Sequence, residues 1–163
     1  NNVYVHDRSD GSLLHTLSQS GRGVKAVSLT DNYVAYGGVD DNVYLHDRSD
    51  GSLLHTLSKS GDNVQGVGLT DNYVAYGGGD NNVYVHDRSD GSLLHTLSKS
   101  GGSVLGVGLT DNYVAYGGGD NNTYVHRAEE FDLTKNEEYE YRAILEIDSE
   151  IRKGQVQTFT TTS

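Results

Sequence analysis

The sequence predicts an all-β chain, and three observations carry this. The 163 residues contain a period of 40, stated over 1–40, 41–80 and 81–120 with no insertion or deletion. Each copy alternates short apolar runs with turn residues, which is the pattern of strands. No segment carries a helical period, and 21 Gly with frequent β-branched residues disfavour helix. The second and third copies differ at only five positions, 41/81, 45/85, 62/102, 63/103 and 65/105. A fourth copy opens as NNTYVH at Asn121 and stops at His126.

Each unit reads as four short strands. Asn1–Asp7 alternates, with Val3 and Val5 on one face and Tyr4 and His6 on the other. Asp7-Arg8-Ser9-Asp10-Gly11 is a turn, with Gly supplying the positive φ of a tight hairpin. Ser12–Ser18 is the second strand. Gly21 and Gly23 break the chain before Val24–Leu29, the third. Thr30-Asp31-Asn32 turns into Tyr33–Tyr36, the fourth, and Gly37-Gly38 leads into the next copy. Four hairpin-linked antiparallel strands repeating every 40 residues describe a β-propeller blade. The propeller region is 1–126, comprising 1–40, 41–80, 81–120 and a partial copy at 121–126. A second module occupies 127–163.

The segment Val24-x-x-Val27 … Tyr33-Val34-Ala35-Tyr36-Gly37-Gly38-x-Asp40, followed by Val-Tyr-Val-His-Asp and Gly-x-Leu, resembles WD40 blades. His6-Asp7, His46-Asp47 and His86-Asp87 stand where that family has Trp-Asp, and its Gly-His pair is missing. A second resemblance, to quinoprotein-type propeller repeats, lies in Gly-Gly-x-Asp-x-x-Val-Tyr without their Trp. The WD40 resemblance implies that Val24–Leu29 is inner strand a, Tyr33–Gly37 is b, Asn2–Asp7 is c and Leu13–Ser18 is outer strand d. The chain then runs c-d, a-b-c-d twice, and a-b-c. A start inside a blade without Met points to a processed, truncated or excerpted chain. Gly66 and Gly68, and Gly106 and Gly108, mark strands whose backbones are crowded.

Three blades do not close a ring of the usual four to eight. Such a propeller is incomplete in one chain, and open blade edges invite pairing with another copy. The expected assembly edges are Val3, Val5, Leu13, Leu14, Val104 and Val107. The strand pair near 104–117 would take residues 2–18 of a neighbour, giving a six-bladed ring from two copies, or a filament.

In the second module, Leu133 through Ala143 resembles the E–F corner and F strand of fibronectin type III domains. There a Leu precedes, by six residues, a buried Tyr whose hydroxyl bonds back to the corner. The resemblance assigns these tail-corner roles to Leu133 and Tyr139, and places Phe159 in a last strand, Gly154–Thr161. A β-sandwich-like terminal hairpin is expected, packed on the blades, on another chain or on missing sequence, with strand donation as one use.

Composition narrows the function. There are 23 acidic and 12 basic residues, and no Cys, Met, Trp or Pro. Residues 1–120 hold 14 acidic residues, all Asp, against 7 basic ones, whereas 121–163 hold all seven Glu and both Phe. Without Cys there is no disulfide, thiolate metal site or cysteine nucleophile. A net charge of −11 makes nucleic acid a poor partner, and no apolar run spans a membrane. The Asp excess, low Lys content and lack of Cys suit a secreted or salt-adapted protein, and the expected location is extracellular or at the cell surface. His6, His46, His86, His126 and His15, His55, His95 recur one blade apart, so packing is favoured over a metal site. Asp7-x-Ser9-x-Gly11 lacks the ligand count of a calcium loop and reads as a capped turn. No GxSxG, phosphate loop or HExxH occurs, so no enzyme and no cofactor are expected. Arg22, Lys25, Asp62, Gln65, Ser103 and Leu105, in d–a loops and the start of strand a, mark a candidate binding face with Asp41 of a b–c turn. Asn121-Asn122-Thr123 is an N-glycosylation pattern. The expected function is a non-enzymatic structural protein that joins copies of itself. The alternatives are a propeller module binding a protein, peptide or glycan on its loop face, and a propeller enzyme.

Overall fold

The computed structural model describes residues 1–127 and the strands Glu138–Ile147 and Glu150–Thr160. Two compact units divide the chain, Asn1–Ala128 and Glu129–Ser163. The first holds β1 (Val3–His6), β2 (Leu13–Leu17), β3 (Val24–Leu29), β4 (Tyr33–Gly38), β5 (Val43–Asp47), β6 (Leu53–Leu57) and β7 (Val64–Leu69). It continues with β8 (Tyr73–Gly78), β9 (Val83–Asp87), β10 (Leu93–Leu97), β11 (Val104–Leu109), β12 (Tyr113–Gly118) and β13 (Thr123–Arg127). All sheets are antiparallel, with orders β1-β2, β3-β4-β5-β6, β7-β8-β9-β10 and β11-β12-β13. The expected c-d, a-b-c-d, a-b-c-d, a-b-c order is therefore the observed one.

Local chemistry fixes the turns. In the first c–d turn, Asp7 Oδ1 accepts from the Ser9 amide (2.7 Å) and hydroxyl (2.5 Å), and Asp10 Oδ1 accepts from the Ser12 amide (2.9 Å). Gly11 sits at φ 74°, a conformation that costs a residue without Cβ little. Both carboxylates are thus spent as caps, and these hydrogen bonds, the Ser9 hydroxyl foremost for Asp7, lower their pKa values. The b–c turns place Asp41, Asn81 and Asn121 at φ 63°, 67° and 64°, a region that Asp and Asn tolerate best among residues with a Cβ.

The blades stack through their inner strands. Strand β7 carries Gly66 and Gly68 toward β11. A Cβ built on Gly66 would lie 2.8 Å from the Val107 nitrogen, and one on Gly68 would lie 2.8 Å from Leu109 Cβ. The opposite face of β7 presents Val67 and Leu69 to the preceding blade, in a core with Ala35, Val43, Leu45, Val74 and Tyr76. A bulge between Val64 and Gly66 in the β7–β8 pairing precedes this stretch. Val64 fills the space over Gly37, and Val104 the space over Gly77; in each case a Cβ on the glycine would fall 2.6 Å from the valine Cγ1.

Polar residues lock each blade to the one before. The buried Tyr76 hydroxyl accepts from the Lys59 amide (3.1 Å) and meets His86 Nε2 at 3.2 Å. His86 Nδ1 lies 3.0 Å from the Gly91 carbonyl, so Nδ1 donates and Nε2 accepts the tyrosine proton. Tyr36, His46, Gln19 and Gly51 repeat this arrangement. The rings stack as well, with centroids 5.4 Å apart in both pairs. Asp80 ties the b–c turn to the d–a loop: its Oδ2 accepts from the Tyr84 hydroxyl (2.7 Å) and the Gly61 amide (2.9 Å). Tyr–His and Tyr–Asp pairs therefore join the blades of a chain that lacks the Gly-His pair of the WD40 resemblance.

In the second unit, β14 (Glu138–Ile147) pairs antiparallel with β15 (Glu150–Thr160), and Tyr139 is opposite Phe159. The second strand begins earlier than Gly154, because β14 extends to Ile147 and offers backbone partners to Glu150–Lys153. Leu133 lies outside the described residues.

Gly77→Ala, forced against Val104, should lower stability by about 1–3 kcal/mol in urea titration. Gly117→Ala, whose Cβ meets nothing nearer than 3.7 Å within one chain, should be near neutral for the stability of the monomer. Burial holds the His46 and His86 pKa values below 6.5, so the unfolded chain binds more protons than the folded one below that pH. Their contribution is full above about pH 6.5 and is lost as pH falls, whereas the turn carboxylates weaken the fold only below about 3.8. Melting temperature should therefore drop between pH 7.5 and 5.5; a flat profile there would contradict the neutral Tyr–His pairs.

Candidate interaction surfaces

The two ends of the blade array are the two halves of its internal interface. On β3, Val27 and Leu29 are 48% and 63% exposed, while their equivalents on β7, Val67 and Leu69, are 8% and 7% exposed. The difference is the blade that covers β7. Val27 and Leu29, with Val34, form one wall of an open cleft whose other wall is Val3, Tyr4, Val5 and His6 of β1. Strands β1 and β2 cover only the outer part of this face, where Val3 and Leu17 pack on Val34 and Tyr36. A complete blade would also have strands a and b, and the cleft lies where they would be.

At the other end, β11 turns an empty glycine stripe outward. A Cβ on Gly106 would meet nothing within 4 Å, and one on Gly108 only the Ala115 carbonyl at 3.9 Å. Gly117, which corresponds to the valine-filled Gly37 and Gly77, is likewise unfilled.

Polar groups follow the same rule. Asp71 accepts from Thr30 (2.7 Å) and Asn32 (2.8 Å) of the preceding blade, and Asp111 from Asn72 (3.0 Å). Asp31 at the first end is the acceptor of the same kind, and Thr110 and Asn112 at the other are the matching donors. The Arg88 guanidinium lies 4.4 Å from the Tyr33 ring centroid across a blade junction. The equivalent tyrosine of the last blade, Tyr113, is exposed.

Several sequence-expected edge residues are placed differently. Val3 and Val104 are already buried inside the chain, against Val34 and Tyr36 and over Gly77. Val107 faces Gly66 and is half-covered, and Val5 lines the cleft. Leu13 and Leu14 are exposed, but so are Leu53, Leu54, Leu93 and Leu94 in complete blades, so that exposure belongs to every d strand. Strand β13 also occupies position c of the last blade, so β11–β12 is not a bare pair ready for a neighbour's c-d strands. Sequence reading missed Val27 and Leu29, although alignment with Val67 and Leu69 of the crowded strand was the signal for them.

The loop residues gather blade by blade. The d–a loop and b–c turn of one blade are joined by the Gly61–Asp80 bond and by the Gly79 amide donating to the Asn63 carbonyl (3.1 Å). Arg22, Lys25, Asp62 and Leu105 are exposed there; Gln65, Ser103 and Asp41 are half-buried. Asp62 Oδ1 is engaged by the Asn63 amide (2.6 Å) and side chain (2.7 Å). The Tyr124 hydroxyl, then the Gly101 amide, hold the Asp120 carboxyl well below the usual carboxylate range. Asn121 is exposed at the last b–c turn, its amide donating to the Gly118 carbonyl (3.3 Å). No group of three or more His, Asp or Glu among the described residues is placed to hold a metal ion.

No protein-family model matches the chain, and no curated protein is similar to it. Solved structures are. The computationally designed Ika4 protein superposes with a TM-score of 0.71 at 25% identity, over 77% of this chain and 79% of that one. The computationally designed Ika8 protein gives 0.70 at 25% identity, over 77% of this chain and 40% of that one. The structure of U3-55K gives 0.71 at 18% identity, over 80% of this chain and 44% of that one. The chain thus spans less than half the length of two of these three. Together with the strand order, these likenesses make residues 3–127 an open array of WD40-like β-propeller blades.

Proposed function

We propose that the protein is a non-enzymatic structural module whose blade array joins to copies of itself, end to end. The observation that carries this is the exposure of Val27 and Leu29 against the burial of Val67 and Leu69. The surface that needs covering at one end is what the other end is shaped to cover. Val27 and Leu29 of one copy fit over Gly106 and Gly108 of the next, as the Val107 backbone and the Leu109 side chain fit over Gly66 and Gly68. Val24 fits over Gly117, and Thr110 and Asn112 reach Asp31.

Covering Val27 and Leu29 to the level of their equivalents contributes about 1 kcal/mol or more each. A single junction must offset the lost freedom of association. Two copies closed on each other form two junctions for one such loss, and give six blades, within the four to eight of propellers. A ring of two is therefore the favoured form, and a filament is its non-closing version.

Light scattering on the 163-residue chain should give twice the monomer mass for the ring, or an unbounded mass for the filament. A folded sample at monomer mass would overturn the proposal. Gly106→Val with Gly108→Val places side chains in space that is empty within one chain, in a strand that favours β-branched residues. This variant should melt like the parent monomer and stay monomeric at all concentrations.

A further inference from the structure

We infer that β13 is a resident stand-in for β1 of a second copy, and that joining proceeds by exchange of one for the other. This rests on the self-association proposed above and specifies its chemistry. Both strands belong at position c. Residues 121–126 read NNTYVH and residues 1–6 read NNVYVH. The junction brings β1 of one copy to the blade whose c position β13 of the other already fills, so only one can pair with β12.

The Tyr–Asp and Tyr–His bonds that hold β13 can be remade by β1. Tyr124 donates to Asp120 Oδ2 (2.6 Å), and the Tyr116 hydroxyl meets His126 Nε2 (3.2 Å). Tyr4 has no Asp partner among the described residues; its hydroxyl oxygen accepts from Asn2 (3.3 Å). His6 uses Nδ1 on the Gly11 carbonyl (3.0 Å), as His46 and His86 do on theirs, but no tyrosine hydroxyl among the described residues meets its Nε2. In the slot, Tyr4 would donate to Asp120, and Tyr116 would donate to His6. The β12 ladder would be kept residue for residue, with Val3, Val5 and His6 replacing Thr123, Val125 and His126 opposite Gly117, Ala115 and Val114.

The incoming strand also fits better. At the position of Thr123, the complete blades hold Val43 and Val83, both wholly buried. Val3 restores that valine, whereas threonine would carry a hydroxyl into an apolar site. Strand β1 further continues through its capped turn into β2, which brings the d strand that β13 lacks. The exchange therefore costs no ladder and adds an outer strand to the last blade.

The chain has no Cys, so engineered thiols report strand position cleanly. A mixture of Ala115→Cys and Val5→Cys chains, otherwise full length, is oxidised, and the linked peptides are mapped. Exchange predicts dimers joined between positions 115 and 5. An associated mixture with no such link, in which Ala115→Cys/Val125→Cys chains still close their internal link, would overturn the exchange and leave self-association standing. A monomeric mixture would overturn both. Thr123→Val, which gives the resident strand the buried valine, should weaken association about fivefold; unchanged association would count against competition for the slot.

Discussion

The fit of a branched side chain against a glycine backbone on the next inner strand governs this structure. At Gly66 and Gly68 there is no room for a Cβ, because the Val107 nitrogen and Leu109 Cβ would stand 2.8 Å from it. That distance sets how closely β7 and β11 approach, while Val67 and Leu69, on the other face of β7, reach the blade before. The remaining apolar core, Ala35, Val43, Leu45, Val74 and Tyr76, fills in behind this contact. Because the contact is directional, with glycine on one face of a strand and branched residues on the other, any open stack has one end of each kind.

The polar network serves the same stacking. A blade's Tyr–His pair is completed by an amide from the loop that follows the outer strand of the blade before it, Gln19 for Tyr36 and Lys59 for Tyr76. Each donor is matched to an acceptor, so a buried histidine is held neutral without an ion pair. Removing the hydroxyl would strand both an amide and an imidazole nitrogen, which costs about 1–3 kcal/mol per buried group. The asparagine and threonine bonds to Asp71, and from Asn72 to Asp111, repeat the directionality at the blade rim.

Much of the fold is legible in the sequence, because a 40-residue period with fixed turn residues leaves little choice of strand or blade boundaries. The glycine pairs announce close approach for the same reason. What the sequence pattern lacks is register. The Tyr76–His86 bond joins residues ten apart on adjacent strands, and only the pairing of β8 with β9 makes them meet. Burial of a repeated residue also depends on its neighbours rather than its own identity. Val3 and Val104 are covered within the chain, while Val27, which has the same pattern as Val67, is not. The Leu13–Leu14 pair misleads in the opposite sense, being exposed in every blade alike.

The copies are not fully interchangeable, and the differences bear on which junction is tight. Where β7 and β11 have glycine pairs, β3 has Ala26 and Ser28, so the first internal junction holds two Cβ atoms that the second excludes. Ala26 packs on the core of the blade that follows it, which shows that this junction accommodates them. A junction between copies would use Gly106 and Gly108, and so would be of the closer, glycine kind. The residues that face it, Val27 and Leu29, match Val107 and Leu109 in chain position and, at 27 and 107, 29 and 109, in residue type. The steric rule already met at Gly66 and Gly68 therefore applies unchanged, and a second copy needs no new complementarity to extend the stack.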